Sequence, residues 1–378
     1  MASSEIVGIQ EEGVMACVKH WVNNNQEHDR RKVSAVVDER TEWEIYYPPF
    51  QAAVNAGVGS VMCSYNKIND VYACENQDTL ERDLKGRMGF TGFVMSDWGA
   101  THSTIASAKK GLDQEMPSGK YFGDLLESSV LNGFVSSSRL DNMVYRILLS
   151  MIKIGILDHP QTGNIHNDVQ TEEHSESARK LSEESTVLLK NEDDILPIKI
   201  SEGIKIAVLG DDAKKNPIVA GKGSGYVIPP YIVTPLSAIE KKVGDSGEVK
   251  YADNNDIENS IQYAKDSDIV VIFAYAESGE GSDRSTLQLP SEQDEYISKI
   301  ASVNPNIIVV LHVPGAVLMP WEKSIKGILC AFYPGQEDGN AITSILFGDT
   351  NPSGHLPITF PMSNNQTWIN TPQQYPGI

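Results

Sequence analysis

Thr91-Gly92-Phe93-Val94-Met95-Ser96-Asp97-Trp98-Gly99-Ala100 runs from an apolar, β-favouring segment into a carboxylate, an indole and a glycine turn. The residues from Thr101 to Lys110 then read as a helix. A strand that hands over to a helix in this way sets its last side chains at the rim of a parallel sheet or barrel, where α/β enzymes build their sites. Asp97 thus stands where a catalytic carboxylate is placed, with Trp98 as an apolar wall that also carries an N–H donor. The competing reading makes Asp97 the cap of a helix beginning near His102. Taken alone, the stretch favours the cap, and the rest of the chain decides against it.

On both sides the same alternation continues. Upstream, Val14–His20 and Gly59–Tyr65 read as strands, followed by helices over Glu42–Asn55 (interrupted or begun at Pro48-Pro49) and Thr79–Arg87. Downstream, Gly111–Pro117 reads as a shorter strand stopped by proline. Ser136–Gly155 is an amphipathic helix with Leu140, Met143, Val144, Ile147, Leu148 and Met151 on one face. Strands alternating with helices predict parallel pairing through βαβ units. Residues 158–174 are polar and aperiodic and read as a linker. A second α/β unit spans 175–363, with buried strands at Ile204–Gly210, Ile269–Ala276, Ile307–His312 and Gly327–Phe332. Helices are expected from Ser175, where the helical pattern ends β-like at Leu189, and over Pro235–Lys242, Ser291–Ser302 and Glu337–Leu346. The segment 364–378 is rich in Asn, Gln and Pro and reads as an exit tail.

The chain has 378 residues, 40% hydrophobic and 22% charged, an ordinary balance for a globular protein, and its length suggests two or three domains. Lys and Arg total 31 against 51 Asp and Glu, a net charge of −20. That sign argues against a nucleic-acid partner, which requires clustered cations, and fits a neutral ligand. No apolar run of membrane-spanning length and no basic amphipathic helix is present, so no membrane role is expected. The amino-terminal Met1-Ala-Ser-Ser-Glu5 lacks the features of a signal peptide. Four cysteines are too few for a disulfide scaffold and lack zinc-type pairing. Cys63 and Cys74 flank the loop Ser64–Ala73, where either a staple or two thiols fits; Cys17 and Cys330 read as buried thiols.

Several motifs carry chemistry. Gly210-Asp211-Asp212 and Gly221-Lys222-Gly223-Ser224-Gly225 invite nucleotide or phosphate readings, but neither has the required glycine and lysine pattern. The second is better read as a loop of close backbone approach, facing another domain. Lys19-His20, followed by Trp21-Val22-Asn23-Asn24-Asn25-Gln26-Glu27, makes a donor-rich rim suited to a polyhydroxylated ligand. Met62, Tyr65, Asp97 and Trp98 share that rim. Glu277-Ser278-Gly279-Glu280-Gly281-Ser282-Asp283-Arg284 is a flexible acidic loop after a buried strand, its small residues letting Glu280 extend into a cleft. Glycoside cleavage needs two carboxyl groups, one as an ionised nucleophile and one as a protonated acid. Glu277 and Asp283 disfavour a second negative charge on Glu280, while Arg284 opposes them.

Together these blocks resemble the family 3 glycoside hydrolases, especially the β-glucosidase branch, over nearly the whole chain. Lys19-His20 with its amide run, Val37-Asp-Glu-Arg40, Val61-Met-Cys-Ser-Tyr-Asn66, Gly92-Phe-Val-Met-Ser-Asp-Trp98 and Gly111-Leu-Asp-Gln-Glu-Met-Pro117 fit the family's barrel domain. Val187-Leu-Leu-Lys-Asn191, Ser278-Gly-Glu-Gly281, Val317-Leu-Met-Pro-Trp321, Pro334-Gly-Gln-Glu337 and Gly348-Asp-Thr-Asn-Pro-Ser-Gly354 fit its sandwich domain. The resemblance implies retaining hydrolysis through a covalent glycosyl-enzyme, with no metal or cofactor. Asp97 would be the nucleophile, and Glu280, from the second domain, the acid/base. Lys19, His20, Met62, Tyr65 and Trp98 would shape the glycone pocket, with Ser224 a weaker carry-over. A related branch, the N-acetylglucosaminidases, continues its Lys-His block with Phe-Pro-Gly, from which this chain departs. Cys63 and Cys74 match a disulfide of secreted fungal-type β-glucosidases, and with the Asn365-Gln-Thr367 sequon they imply a secreted parent.

A complete (β/α)8 barrel takes ~250 residues, whereas residues 1–157 are all that precede the linker. The fold expected is therefore α/β: an incomplete TIM-type (β/α)8 barrel (1–157) followed by an α/β sandwich domain. Exposed barrel edges would then invite self-association. The expected activity is release of terminal, non-reducing β-D-glucosyl units from β-glucosides or β-linked gluco-oligosaccharides. The alternatives are a β-xylosidase of the same family and a catalytically inactive, truncated sugar-binding remnant.

Overall fold

The alternation in the first part of the chain produces three parallel strands, β1 (Cys17–Trp21), β2 (Ser60–Cys63) and β3 (Phe93–Ser96), hydrogen-bonded in that order. The structure is a computed structural model that describes residues 1–159 and 162–366. It divides into two units, the first Met1–Asn167 and the second beginning at Asp168, a division that falls within the stretch 158–174. Of the tail, Asn364–Gln366 form a single helical turn. Its remainder, with Thr367 of the sequon, lies outside the described residues.

In the first unit, alternation along β2 and β3 sends Val61, Cys63 and Val94 into a core shared with Leu80, Leu84, Val58 and Ile6. Helices α1 (Ala2–Glu11) and α2 (Tyr47–Asn55) and the π-helical segment Asp78–Arg87 supply that cover. Pro48 and Pro49 do not break the chain's helical course. A π turn over Glu42–Tyr46 leads into α2, and the proline falls in its first turn, where a missing N–H costs nothing. After β3 comes the short helix α3 (Ile105–Lys109).

Gly111–Pro117 is not a strand. It contributes one bridge, Met95 to Gln114. The Asp113 and Gln114 amides both donate to the Val94 carbonyl, and the Asp113 carboxylate takes the Val94 N–H at 2.8 Å. A side chain thus replaces part of the ladder, and among the described residues the sheet stays at three named strands, an open arc of a (β/α)8 barrel. Around β2 the chain adds a hairpin. Lys67–Ile68 pairs antiparallel with Val71–Tyr72 across Asn69 and Asp70, both at positive φ, and Cys63 is bonded to Cys74.

Helix α4 (Ser137–Ile154) begins under the Ser136 cap and ends at left-handed Gly155. Its apolar stripe packs in part, with Met143 in a small core beside Ala108, Leu126 and Val135 and Leu140 against it. Met143 and Ser150 are buried, and Arg139 and Arg146 reach inward to the Ala108, Leu112, Phe90 and Gly92 carbonyls. Val144 and Leu148 remain 47% and 43% exposed. The two arginines join Met143 on the inner side because they meet loop carbonyls that apolar side chains would leave unpaired.

Helix α5 (Glu172–Ser185) opens the second unit, and the β-like end expected at Leu189 is a separate strand, β4 (Val187–Asn191). The other strands are β5 (Ile204–Leu209), β6 (Gly247–Ala252), β7 (Ile269–Tyr275), β8 (Ile307–His312) and β9 (Gly327–Cys330). They form one sheet in the order β4-β9-β8-β7-β5-β6, parallel except for edge strand β4. Helix α6 (Pro235–Val243) is capped by Thr234; with α7 (Gln293–Ala301) and α8 (Asp338–Leu346) it covers the sheet. Ile297 and Ile300 pack on one face with Leu209, Ile272 and Val309. Ile239, Ile342 and Ile345 pack on the other with Val208, Phe273 and Val310. Burial on both faces explains why β7 and β8 read as unbroken apolar runs. Strand β6, with polar Glu248 and Lys250 on an edge, lacked that signal. Strand order reverses between β5 and β7, so the loops after them flank a topological switch point, the usual ligand end of such sheets.

Candidate active site

In the first unit, the strand ends gather the aromatic and charged residues. Asp97 directly follows β3 and is 7% exposed. Its amide donates to the Cys63 carbonyl at the end of β2, and its Oδ1 accepts the Trp98 N–H at 2.7 Å. His20 Nε2 lies 3.4 Å from Asp97 Oδ2. The helix-cap reading of Asp97 fails here, because α3 starts at Ile105 with Thr104 at its N-cap. The carboxylate lies at the strand-end rim, held by the Trp98 backbone donor, the His20 imidazole and the Tyr65 hydroxyl.

Around it, Tyr65 is buried, and burial followed by its hydrogen bond to Asp97 pushes the phenol up. The Arg30 and Arg31 guanidiniums each lie 4.8 Å from its ring centroid. The sequence reading did not single out these arginines; they stand just beyond the amide run, on a loop without periodicity. Met62 pairs in register with Met95 and so shares the face from which Asp97 continues two residues later. Trp98 is 48% exposed, leaving an indole surface open at the rim. Lys19 is exposed, and together with Asp97 it acts electrostatically on the Cys17 thiol. Burial raises that thiol, the Ser60 hydrogen bond and Lys19 lower it, and Asp97 raises it again.

In the second unit, the loops after β5 and β7 clasp each other. Lys222 and Gly279 form a parallel bridge; the Glu280 amide donates to the Lys222 carbonyl at 2.9 Å, and the Lys222 amide to Ser278 at 3.1 Å. The Ser224 N–H then donates to Glu280 Oε2 at 2.8 Å. Ser224, expected as a pocket residue, therefore holds Glu280 through its backbone. The glycine-rich segment is a close-approach loop, and the described contact is with the Glu280 loop of its own unit. A Cβ on Gly223, at φ +128°, would stand 2.5 Å from the Glu280 Cβ. Lys222 Nζ pairs with Glu277 at 2.8 Å, offsetting one of the negative charges expected to act on Glu280. Arg284 is turned to the Ala316 carbonyl. At its other end the loop is tied at Ala276, whose carbonyl accepts the Tyr333 hydroxyl at 3.0 Å. Neither Lys222 nor Tyr333 was expected in this role, because both act through chain positions distant from the acidic loop.

The arrangement supplies a buried carboxylate at a parallel strand end in one unit and a clasped glutamate at a sheet's switch point in the other. Among the described residues, no cluster of His, Cys, Asp and Glu is arranged to hold a metal ion, and no helix is long and apolar enough to cross a membrane.

Comparison with known proteins points the same way. Residues 1–150 match the glycosyl hydrolase family 3 N terminal domain, and residues 186–377 match the glycosyl hydrolase family 3 C-terminal domain. A probable beta-glucosidase L of Aspergillus terreus is 38% identical over 96% of this chain and 55% of its own length. Thermostable beta-glucosidase B of Acetivibrio thermocellus is 38% identical over 98% of this chain and 50% of its own. The chain thus spans about half the length of the curated relatives it matches. Among solved structures, DesR, a beta-glucosidase from Streptomyces venezuelae in complex with D-glucose, superposes with a TM-score of 0.91 at 30% identity. That match covers 100% of this chain and 64% of DesR. The beta-D-glucoside glucohydrolase of Trichoderma reesei gives 0.90 at 35% identity over 98% of this chain and 57% of its own. With both of the family's domain models matched in order along the sequence, the chain belongs to glycosyl hydrolase family 3.

Proposed function

We propose that this chain carries the two catalytic carboxyl groups of a retaining, exo-acting β-glucosidase, with Asp97 as nucleophile and Glu280 as acid/base. The observation that carries the reading is Asp97: a buried carboxylate at the end of a parallel barrel strand, oriented by the Trp98 N–H and flanked by His20 and Tyr65. In the first step the Asp97 carboxylate attacks the anomeric carbon while the glycosidic oxygen leaves with a proton from Glu280. In the second, Glu280 takes a proton from water as that water's oxygen displaces Asp97, so two inversions give net retention. His20, Tyr65, Met62 and the Trp98 indole would line the glycone, with Lys19 at its rim. The β-glucosidase relatives support glucosides and β-linked gluco-oligosaccharides as substrates, and the Cys63–Cys74 disulfide supports a secreted parent.

Hydrolysis of an aryl β-glucoside by the purified chain, beside Asp97→Ala and Glu280→Ala, tests this reading. Turnover is expected to collapse in both variants, and a 2-fluoro-glucoside is expected to label Asp97 covalently. Turnover insensitive to either change would overturn the site assignment, and faster hydrolysis of the matching xyloside would favour β-xylosidase. The half-exposed Trp98 indole at the rim favours one further reading, sugar binding without hydrolysis, which glucose quenching of Trp98 fluorescence without turnover would support.

A further inference from the structure

Beneath the Glu280 loop lies a charged group that the hydrolytic steps do not use. His312 ends β8, Asp212 follows Gly210 in the turn after β5, and Asp338 is the first residue of α8; all three are fully buried. His312 Nδ1 meets Asp212 Oδ2 at 2.5 Å, and Nε2 lies 3.2 Å from Asp338 Oδ1. Burial alone would push the imidazole down. The Asp338 and Asp212 carboxylates outweigh it and hold His312 well above its ordinary range. Taking three ionisable groups out of water is costly, and apolar side chains of similar volume often serve a core equally well. A buried triad of ionisable groups at the ligand end of a sheet therefore calls for a role beyond filling space.

The contacts supply one. Asp212 Oδ1 accepts the Ile218 N–H at 2.7 Å, and the Val219 carbonyl accepts the Gly335 N–H at 3.0 Å, three residues before Asp338. These bonds pin both sides of the chain just before Lys222–Ser224, the segment that clasps Glu280. The His312 carbonyl accepts the Ala276 N–H at 3.1 Å, at the stem of the Glu280 loop. One buried cluster thus reaches both the clasp and the stem.

We propose that Asp212, His312 and Asp338 are positioning residues that fix the Lys222–Ser224 loop against the Glu280 loop, so that the Glu280 carboxylate is presented in one geometry. The catalytic consequence rests on Glu280 being the acid/base, whereas the mechanical linkage does not.

Hydrogen-exchange mass spectrometry on the full chain tests the linkage, comparing wild type with Asp212→Asn. The asparagine has one acceptor oxygen where Asp212 uses two, so one of its bonds is lost. Exchange in peptides covering 218–226 and 276–284 is expected to rise about tenfold, the loss of one charge-assisted hydrogen bond. Exchange in β7 and β8 is expected to stay unchanged. A uniform rise across the unit, or unchanged loops, overturns the proposal. If Asp212→Asn fails to fold, Asp338→Asn, which leaves the acceptor for Ile218 in place, is expected to give a smaller rise in the same two peptides. Activity separates the two claims. Asp212→Asn should slow aryl glucosides with poor leaving groups more than good ones, the same dependence expected of Glu280→Gln. If Glu280→Gln leaves that dependence unchanged while the loops still loosen, the acid/base reading fails and the positioning stands.

Discussion

Gly223→Ala isolates the clasp on Glu280 from the chemistry of the carboxyl group itself. At φ +128° a residue with a side chain is strained by ~1–3 kcal/mol. Its Cβ would also stand 2.5 Å from the Glu280 Cβ and 3.1 Å from Oε2. Carbon atoms rest at about 3.5–4.0 Å, so the two loops must part by about 1 Å. A 2.8 Å hydrogen bond from the adjacent Ser224 amide does not survive such a shift. A hydrogen bond to a charged acceptor contributes ~1.5–3 kcal/mol, and the exposed position of Glu280 argues for the lower figure. At 1.4 kcal/mol per factor of ten, roughly tenfold less of the clasped geometry is expected. The assay is kcat across aryl β-glucosides of graded leaving-group pKa. Poor leaving groups, which need a placed proton, should slow roughly tenfold, and activated ones much less. A flat, wild-type dependence in Gly223→Ala would refute the claim that the clasp positions the acid.

Three further outcomes are expected. Replacing Cys63 and Cys74 by Ser opens a closure of 11 residues; unit 1 should lose ~3 kcal/mol, read as a lower urea midpoint of buried Trp21 fluorescence, and an unchanged midpoint contradicts this. Burial, followed by Asp83 and Asp38 and against the Asn23 hydrogen bond, pushes the Glu42 carboxyl up to about 7. A raised carboxyl favours the folded state while protonated, so stability present at pH 4 is lost as pH rises through 7. Glu42→Gln should remove this fall, which runs from pH 4.5 to about 7, and a parallel slope in the variant would count against it. The exposed α4 stripe of Val144, Leu148 and Ile152 should drive concentration-dependent association in sedimentation experiments, weakened by Leu148→Glu; a monomer at every concentration would exclude it.

The sheet strands were legible wherever burial was two-sided. Val271, Ile272 and Val309 could only be interior, and β8 occupies the expected residues. Legibility fell where one side chain substitutes for a ladder partner, as Asp113 does for Val94, because composition there still looks like a strand. It fell again on α4, where Met143 and Leu140 pack as the stripe suggested but Val144 and Leu148 stay exposed and Arg139 and Arg146 share the inner contacts. The cap reading of Asp97 was open in sequence because a few residues decide where a helix begins, and helix ends are set by local hydrogen bonds that pattern alone does not reveal.

By itself, the sequence determined the alternation that makes both units α/β, the strand-end position of Asp97 and the small-residue setting of Glu280. Each is a matter of local periodicity and local chemistry. Only the tertiary structure decided what holds those groups. Ser224 reaches Glu280 across 56 positions and His312 reaches Asp212 across 100, while Arg30 and Arg31 come to lie over Tyr65. Contacts between loops at the ends of neighbouring strands are set by sheet order and register. Those are properties of the folded whole, and no spacing along the chain encodes them.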